Sequence, residues 1–489
     1  ALILGWGIYR FCLKHFGPET ALLALLFYTL SPNILAHDHY VTTDIGIAAF
    51  IFFAVWSFVA WMQKPKSIKL MLVATACFSL AQLAKFSAVM LVPFYLALIG
   101  IALATKKPKE GYKSALWQYF IGLACIFGLG MLLVILFYIP HTINMPAGVQ
   151  DKLIVESLPK GYNNLYGTYL RQYNDISIVK PIAQYLLGML MVFNRVQSGN
   201  ITYFLGDVTN QSFAWYFPVS FVLKTPIPML IMIFGVLGLA IVNYIRKTPL
   251  KVWGNFKSYS NNHFLELVCV GFIVFYSYLS IKGNLNLGIR HLFPMMPFIF
   301  VLLAKKTVEA VRSIKTKKYK TIASGSLLVL CVWYAVTSFM LFPSYMPYIN
   351  SLFGGPANAS KYLSDSNVDW GQDLTRLVTY VNNNPDIDKI AVDYFGGGDP
   401  KYYFCTRRLD GNGILIKDST GYDCTKSKYM DWHVDYGKPQ TKYIAVSETY
   451  LVSDLFYQKY NPRPYDYQWL RDKKPVKQIG NSIYIYKVR

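Results

Sequence analysis

The stretch ALWQYFIGLACIFGLGMLLVILFYI, residues 115–139, decides the fold class of this chain. It contains no charged side chain and is longer than the roughly 20 apolar residues that a helix needs to cross a bilayer core of about 30 Å. Nine further apolar stretches lie at residues 1–9, 20–36, 43–62, 70–84, 87–104, 226–245, 264–281, 292–304 and 321–341. The sequence therefore predicts a polytopic, mainly α-helical membrane protein with about ten transmembrane helices.

Positive charge is concentrated in alternate loops between these stretches. Residues 1–341 contain 29 Lys and Arg against 10 Asp and Glu, whereas residues 342–489 contain 19 against 16. Five loops hold twenty of the cations, and the short loops between them hold only Lys85, Lys282 and Arg290. Because cytoplasmic loops carry the excess of Lys and Arg, the five basic loops are predicted to be cytoplasmic. The excess of Lys and Arg is therefore explained by membrane topology and by contacts with anionic lipids. It does not call for a nucleic-acid partner.

This orientation places the long aromatic-rich loop 140–225 and everything after residue 341 outside the cytoplasm. Within the loop, residues 182–193 are apolar but short, which favours a helix lying in the membrane interface. The sequence thus predicts a transmembrane domain at residues 1–341 and a soluble extracytoplasmic domain at residues 342–489. The protein is expected in the plasma (inner) membrane, with the second domain on the periplasmic side.

The pattern of residues 342–489 is that of a small α/β domain. Alternating and β-branched runs predict a helix and three strands, at residues 373–381, 389–394, 442–447 and 482–487. Cys405 and Cys424 are the only cysteines of this domain. An oxidising compartment permits a disulfide between them, although sequence alone does not give the distance that decides it.

Ionisable side chains at membrane depth are costly and therefore mark candidate functional sites. The outer loop at residues 36–44 holds two acids, Asp38 and Asp44, and two imidazoles, His37 and His39. Asp44 falls in the first turn of the next helix, where it can accept a proton, bind a metal or orient a substrate, and can equally cap the helix. Histidines two residues apart do not share a helix face, so a metal site at His37 is disfavoured, and a divalent ion stays an open question.

Three further candidates are cations at places where apolar helices meet the outer surface: Lys85, Lys224 and Arg290, the last followed by His291. If these side chains converge, they would hold a lipid-linked phosphate and stabilise its charge as it leaves. Each one separately can also extend to lipid headgroups.

Five motifs follow one another along nearly the whole chain: Ser31–His37 with Thr42–Asp44, Leu83–Ala88, Tyr216–Pro218 with Lys224–Pro226, Gly288–Pro297, and Ser364–Asp373. In these motifs the chain resembles the bacterial relatives of protein O-mannosyltransferases and aminoarabinose transferases. These are membrane glycosyltransferases of the GT-C fold (glycosyltransferase family 39-like) that use polyprenyl-phosphate sugars. His39 stands where that family commonly has an arginine.

The resemblance implies an enzyme that transfers a monosaccharide, a hexose such as mannose or a pentose, from a polyprenyl-phosphate carrier to a protein, lipid or glycan acceptor. It implies that Asp44 is an acid near the active site, with Asp38 beside it as a second catalytic candidate. Lys85, Lys224, Arg290 and His291 become candidate contacts of the donor phosphate. In the family the main catalytic acid lies in an earlier outer loop, so we expect this sequence to begin after it.

Two other classes of protein stay open. A membrane transporter or lipid flippase with an extracytoplasmic binding domain would also bury scattered charges, but it predicts inverted repeats, which the sequence does not show. A non-catalytic assembly protein could use the outer domain for binding.

Overall fold

The computed structural model describes the whole chain except residues 41, 107, 109, 147, 158–166, 174–175, 177–178, 247–251 and 409–420. Four cations of the basic loops, Lys107, Lys109, Lys247 and Lys251, lie outside the described residues. The chain divides into two compact units. The helical unit comprises Ala1–Gly199, Pro228–Leu285 and His291–Ala335, and the sheet unit comprises Asn200–Ile227, Asn286–Arg290 and Val336–Arg489. This division differs from the boundary predicted at residue 341, because two short earlier segments belong to the sheet unit.

Every predicted apolar stretch lies on helical structure. The α-helices through the last apolar stretch are Leu2–Phe16, Pro18–Thr29, Pro32–Asp38, Thr43–Gln63, Ile68–Ala84, Leu91–Thr105, Tyr112–Thr142, Val149–Ser157, Thr168–Tyr173, Lys180–Ser198, Tyr216–Lys224, Ile227–Arg246, Val252–Asn262, Phe264–Lys282, Met296–Arg312 and Lys317–Leu341. Short 3₁₀ turns, Phe86–Met90 and Ile289–Met295, precede two of them.

The prediction of a mainly helical, multi-pass membrane protein is confirmed. Within the described residues, six helices are long and apolar enough to cross a membrane, or up to eight if each of two bent helix pairs forms one span. One such pair, Pro18–Thr29 with Pro32–Asp38, is bent by 59°. The expected interfacial segment 182–193 lies within Lys180–Ser198, a helix outside this set.

Small residues allow the helices of the helical unit to pack closely. Gly122 and Gly130 lie on the helix Tyr112–Thr142. A Cβ atom at Gly122 would stand 1.9 Å from the ring of Trp61, and one at Gly130 would stand 2.7 Å from the ring of Phe78. Since both rings are buried, glycine is the residue that lets this helix approach its neighbours.

The sheet unit contains one five-stranded sheet and two short two-stranded ones. Its strands are β1 Thr202–Phe204, β2 Asp207–Thr209, β3 Ile390–Asp393, β4 Thr406–Arg407, β5 Tyr422–Asp423, β6 Tyr429–Asp431, β7 Tyr443–Ser447, β8 Lys477–Ile479 and β9 Ile483–Lys487. The large sheet has the order β6-β3-β7-β9-β8. Strand β3 pairs in parallel with β6 and β7, whereas β9 runs antiparallel to both β7 and β8. Besides Tyr216–Lys224, the described α-helices of the sheet unit are Leu374–Asn383, Pro400–Phe404 and Glu448–Tyr460.

The central strands are buried on both faces. One face packs Ile390, Val392 and Ala445 against the helix Leu374–Asn383, and the other packs Ala391, Ile444 and Val446 with Trp432 and Tyr467. Burial on two sides explains why β3 and β7 are nearly continuous apolar runs rather than alternating ones. The predicted α/β character of residues 342–489 is confirmed.

Cys405 and Cys424 are joined by a disulfide, with their Cα atoms 4.6 Å apart. The bond lies beside the paired strands β4 and β5, where Thr406 is opposite Asp423. The disulfide therefore links the ends of this short strand pair. It is the crosslink that the sequence left possible.

Candidate functional site

Two charged residues from separate sequence motifs meet in the helical unit. The ammonium group of Lys85 donates a hydrogen bond of 2.8 Å to Oδ1 of Asp44. Asp44 lies in the first turn of Thr43–Gln63, and Lys85 follows Ile68–Ala84 with an extended backbone that ends that helix. The Asp44 side chain is 3% exposed and that of Lys85 is 29% exposed. A buried carboxylate is thus compensated by a cation that still reaches the surface.

This ion pair bears on the alternative that Asp44 only caps its helix. Thr42 is the N-cap residue and makes no side-chain capping bond. The carboxylate of Asp44 instead has a partner 41 residues away in the sequence. Because a charge at membrane depth needs compensation, the pair is a better explanation of Asp44 than its helix position alone.

The loop before Asp44 has its own pattern of contacts. The imidazole of His37 is buried and lies edge-on to Phe293, with ring centroids 5.0 Å apart. Asp38 and His39 form a more accessible pair, with 2.7 Å between Nδ1 and Oδ1, and side chains that are 24% and 59% exposed. Within the described residues, no group of three or more His, Cys, Asp and Glu side chains is placed to hold a metal ion. His37 is therefore part of the packed interior.

Lys224 is buried in the sheet unit at the end of the helix Tyr216–Lys224. Its ammonium group donates to the main-chain carbonyls of Met346, at 2.9 Å, and of Asn367. These carbonyl contacts partly satisfy the buried cation. The structure thus shows Lys224 bonded to two loops of its own unit, and its predicted contact with a phosphate stays a prediction.

Arg290 lies on an aromatic ring of the fifth motif. Its guanidinium carbon is 4.2 Å from the ring centroid of Trp370, which is the geometry of a cation–π contact. The segment before it is fixed to the same motif, because Ser366 donates its hydroxyl to the carbonyl of Leu287. Gly288 has φ +129°, and a Cβ there would stand 2.5 Å from Oγ of Ser366. Only glycine allows this close approach.

Asn367 joins the neighbourhoods of the two predicted cations. Its side-chain oxygen accepts from the Ile289 amide at 3.0 Å, and its side-chain nitrogen donates to the Tyr216 hydroxyl at 2.9 Å. Its main-chain carbonyl accepts from Lys224. Three motifs that are distant in sequence are therefore held by one buried side chain of the sheet unit. His291 lies in the helical unit, where its carbonyl accepts from the Tyr276 hydroxyl at 2.8 Å.

Buried acids surround the Trp370 motif within the sheet unit. Burial raises the pKa of Asp369 to about 7, although its Oδ1 accepts a 3.0 Å bond from the Gly371 amide. Burial also raises the pKa of Glu448 well above its ordinary value, and the Ser364 hydroxyl bonds it at 2.9 Å. Neither Asn367 nor Glu448 was among the predicted site residues. The signal available for Asn367 was its place inside the fifth motif, whereas Glu448 follows β7 without a motif.

Part of the chain matches a known protein family. Residues 1–114 match the family described as dolichyl-phosphate-mannose-protein mannosyltransferase. This range contains Asp38, Asp44 and Lys85, and for these residues it confirms the resemblance that the motifs indicated. Among solved structures, ArnT from Cupriavidus metallidurans, crystallised with undecaprenyl phosphate, is similar with a TM-score of 0.37 and 12% identity, covering 99% of this chain and 82% of that one. A search of curated proteins found no significant match.

Proposed function

We propose that this chain, whose first 114 residues match the dolichyl-phosphate-mannose-protein mannosyltransferase family, transfers a monosaccharide from a polyprenyl-phosphate carrier to an acceptor. Transfer takes place at the outer face of the plasma membrane and inverts the anomeric carbon. The acceptor is a hydroxyl or amino group of a protein, lipid or glycan. The sheet unit lies on the same, periplasmic side.

The observation that carries the proposal is the ion pair of Lys85 and Asp44, both within the matched residues. A carrier phosphate is an anion at the membrane surface, and it needs a fixed cation that water does not fully screen. Asp44 holds the Lys85 ammonium in place from its buried side, while the exposed part of Lys85 can meet the phosphate. As the bond from the anomeric carbon to the phosphate oxygen breaks, the electron pair stays on the phosphate, where Lys85 stabilises the growing charge.

The acceptor supplies the new bond and loses one proton. Its oxygen or nitrogen attacks the anomeric carbon from the side opposite the phosphate, which accounts for inversion. Within this chain Asp38 is the better proton acceptor, because its side chain is 24% exposed against 3% for Asp44. Asp44 then acts through Lys85 as a positioning residue.

In the sheet unit we assign different roles to the two cations. Arg290, whose guanidinium lies on the face of Trp370, stays a predicted contact of the donor phosphate. Lys224 positions the motif that carries Trp370, because its buried ammonium bonds the carbonyl of Asn367. His291 was predicted to accompany Arg290, and its contact with the donor stays a prediction.

The direct test is transfer of radiolabel from polyprenyl-phosphate mannose by membranes that contain the protein. We expect label in an acceptor fraction, and a rate about 100-fold lower for Lys85→Met, because one charge-stabilising contact of the transition state is lost. Lys282→Met is the matched control, since Lys282 is also predicted in an outer loop and is exposed. It should leave the rate unchanged.

Two results would reject the proposal. If the intact lipid crosses the bilayer without cleavage of its sugar, the chain is a flippase. If Lys85→Met and Lys282→Met transfer label at the same rate, the ion pair has no part in the reaction.

A further inference from the structure

The sheet unit contains a cavity of about 330 Å³, lined by both polar and apolar side chains, that the transfer reaction does not use. Its lining includes three acids, Asp393, Asp435 and Asp454, together with the rings of Tyr450 and Tyr457. A cavity of this size is large enough for a small ligand. The mixture of planar polar side chains and aromatic faces distinguishes it from a simple acidic patch.

The position of the cavity in the fold is that of a ligand site. Strands β6, β3 and β7 are parallel, and the lining follows the carboxyl end of each. Asp393 is the last residue of β3, His433 follows β6, and Tyr450 and Tyr457 lie on the helix Glu448–Tyr460 that follows β7. In open α/β sheets, ligands bind in the crevice outside the carboxyl ends of parallel strands.

Two of the acids are held firmly by one tyrosine. The Tyr467 hydroxyl donates to Asp393 Oδ2, and the Tyr467 amide donates to Asp454 Oδ2 at 3.0 Å. The Val434 amide also bonds Asp393, at 3.3 Å. Asp393 and Asp454 are buried, so they form a fixed rear wall.

The front of the cavity is accessible. The side chain of Asp435 is 61% exposed and that of His433 is 40% exposed, with 3.2 Å between Oδ2 and Nδ1. Arg463 stacks on the ring of Tyr457, with its guanidinium carbon 3.2 Å from the centroid. This contact covers one face of the Tyr457 ring, and the ring of Tyr450 also lines the cavity.

From this arrangement we infer that the cavity binds a saccharide. Carboxylates, an imidazole and tyrosine hydroxyls accept and donate bonds to neighbouring sugar hydroxyls, and a tyrosine ring covers the apolar face of a pyranose. A phosphate or other anion is disfavoured, because three carboxyl groups face one guanidinium, that of Arg463. The site is distinct from the donor phosphate contacts and serves to hold a glycan near the protein.

The test measures binding without any donor. The purified protein, labelled with a fluorophore and held in phosphatidylcholine nanodiscs, is applied to an array of hexose, deoxyhexose and N-acetylhexosamine saccharides. We expect binding to at least one class. Asp435→Asn, which removes a charged acceptor, and Ser453→Phe, which fills the cavity, should each lower the affinity about tenfold or more. Asp472→Asn, an exposed acid outside the lining, is the matched control and should bind as the parent does.

Binding to no saccharide overturns the proposal, as does binding that both cavity variants retain. Binding displaced by putrescine at equal concentration also overturns it, because the acids then recognise an amine. Equal unfolding midpoints of the three variants show that a loss is local. No sugar is transferred in this assay, so its failure would leave the transferase proposal intact, and failure of transfer would leave this site intact.

Discussion

Replacing Lys85 by Met would leave the carboxylate of Asp44 buried without its cation. Asp44 is 3% exposed and Lys85 29% exposed, so the two single changes are not equivalent. Removing one partner of a fully buried pair costs about 3–5 kcal/mol, and the partial exposure of Lys85 lowers this to about 2–3 kcal/mol. Asp44→Asn leaves an ammonium that can turn to the surface, and it should cost about 1 kcal/mol.

The double variant Asp44→Asn with Lys85→Met tests whether these costs come from the pair. It has no uncompensated charge, so it should be more stable than Lys85→Met alone, with a coupling of about 2 kcal/mol. Unfolding midpoints of the purified protein, followed by tryptophan fluorescence on heating, give the ranking of the variants. Lys282→Met serves as the control. A double variant destabilised by the sum of the single effects would show that Asp44 and Lys85 do not stabilise each other.

Three further predictions concern the sheet unit. Because burial raises the pKa of Asp369 from 3.8 to about 7, the folded protein keeps a proton that the unfolded chain has lost. The contribution of this group to stability should fall by up to about 4 kcal/mol as the pH rises from 4 to 7. Over the same range, the unfolding midpoint of Asp369→Asn should fall less than that of the parent. Gly288→Ala introduces a Cβ 2.5 Å from Oγ of Ser366 at positive φ, and thermal unfolding should show a loss of about 2 kcal/mol. Replacing Cys405 and Cys424 together by Ser opens a loop with a sequence separation of 19, which should cost about 3 kcal/mol, and reductant should lower the unfolding midpoint of the parent but not of this variant.

The architecture was largely predictable because its signal is local. Uncharged runs such as residues 115–139 need a bilayer whatever their neighbours are, and that stretch lies within the helix Tyr112–Thr142. Strands β3 and β7 were predictable from their apolar runs. Strands β6 and β8 were not predicted. Each has only three residues and lies at an edge of the sheet, where few side chains are buried and the apolar pattern is weak.

Contacts between distant residues were less accessible to sequence reasoning. Lys85 and Asp44 were each recognised as costly charges, but their pairing depends on how two helices pack. Lys224 was recognised from its residue type, but its bonds to the main-chain carbonyls of Met346 and Asn367 depend on loops that are distant in the sequence. Asn367 was overlooked because a neutral amide carries no charge signal, and its importance lies in the three partners that it joins.

The cavity of the sheet unit was also beyond sequence reasoning. Asp393, His433 and Tyr457 come from three separate segments, and only the parallel pairing of β6, β3 and β7 makes them neighbours.

The proposed transfer depends on contact between Lys85, held by Asp44, and the phosphate of the carrier. The affinity of the protein for polyprenyl phosphate without a sugar, measured by titration in nanodiscs of neutral lipid, tests it most directly. We expect Lys85→Met to weaken binding about tenfold or more, whereas Lys282→Met should bind as the parent does. Equal affinities of the parent and Lys85→Met would contradict it.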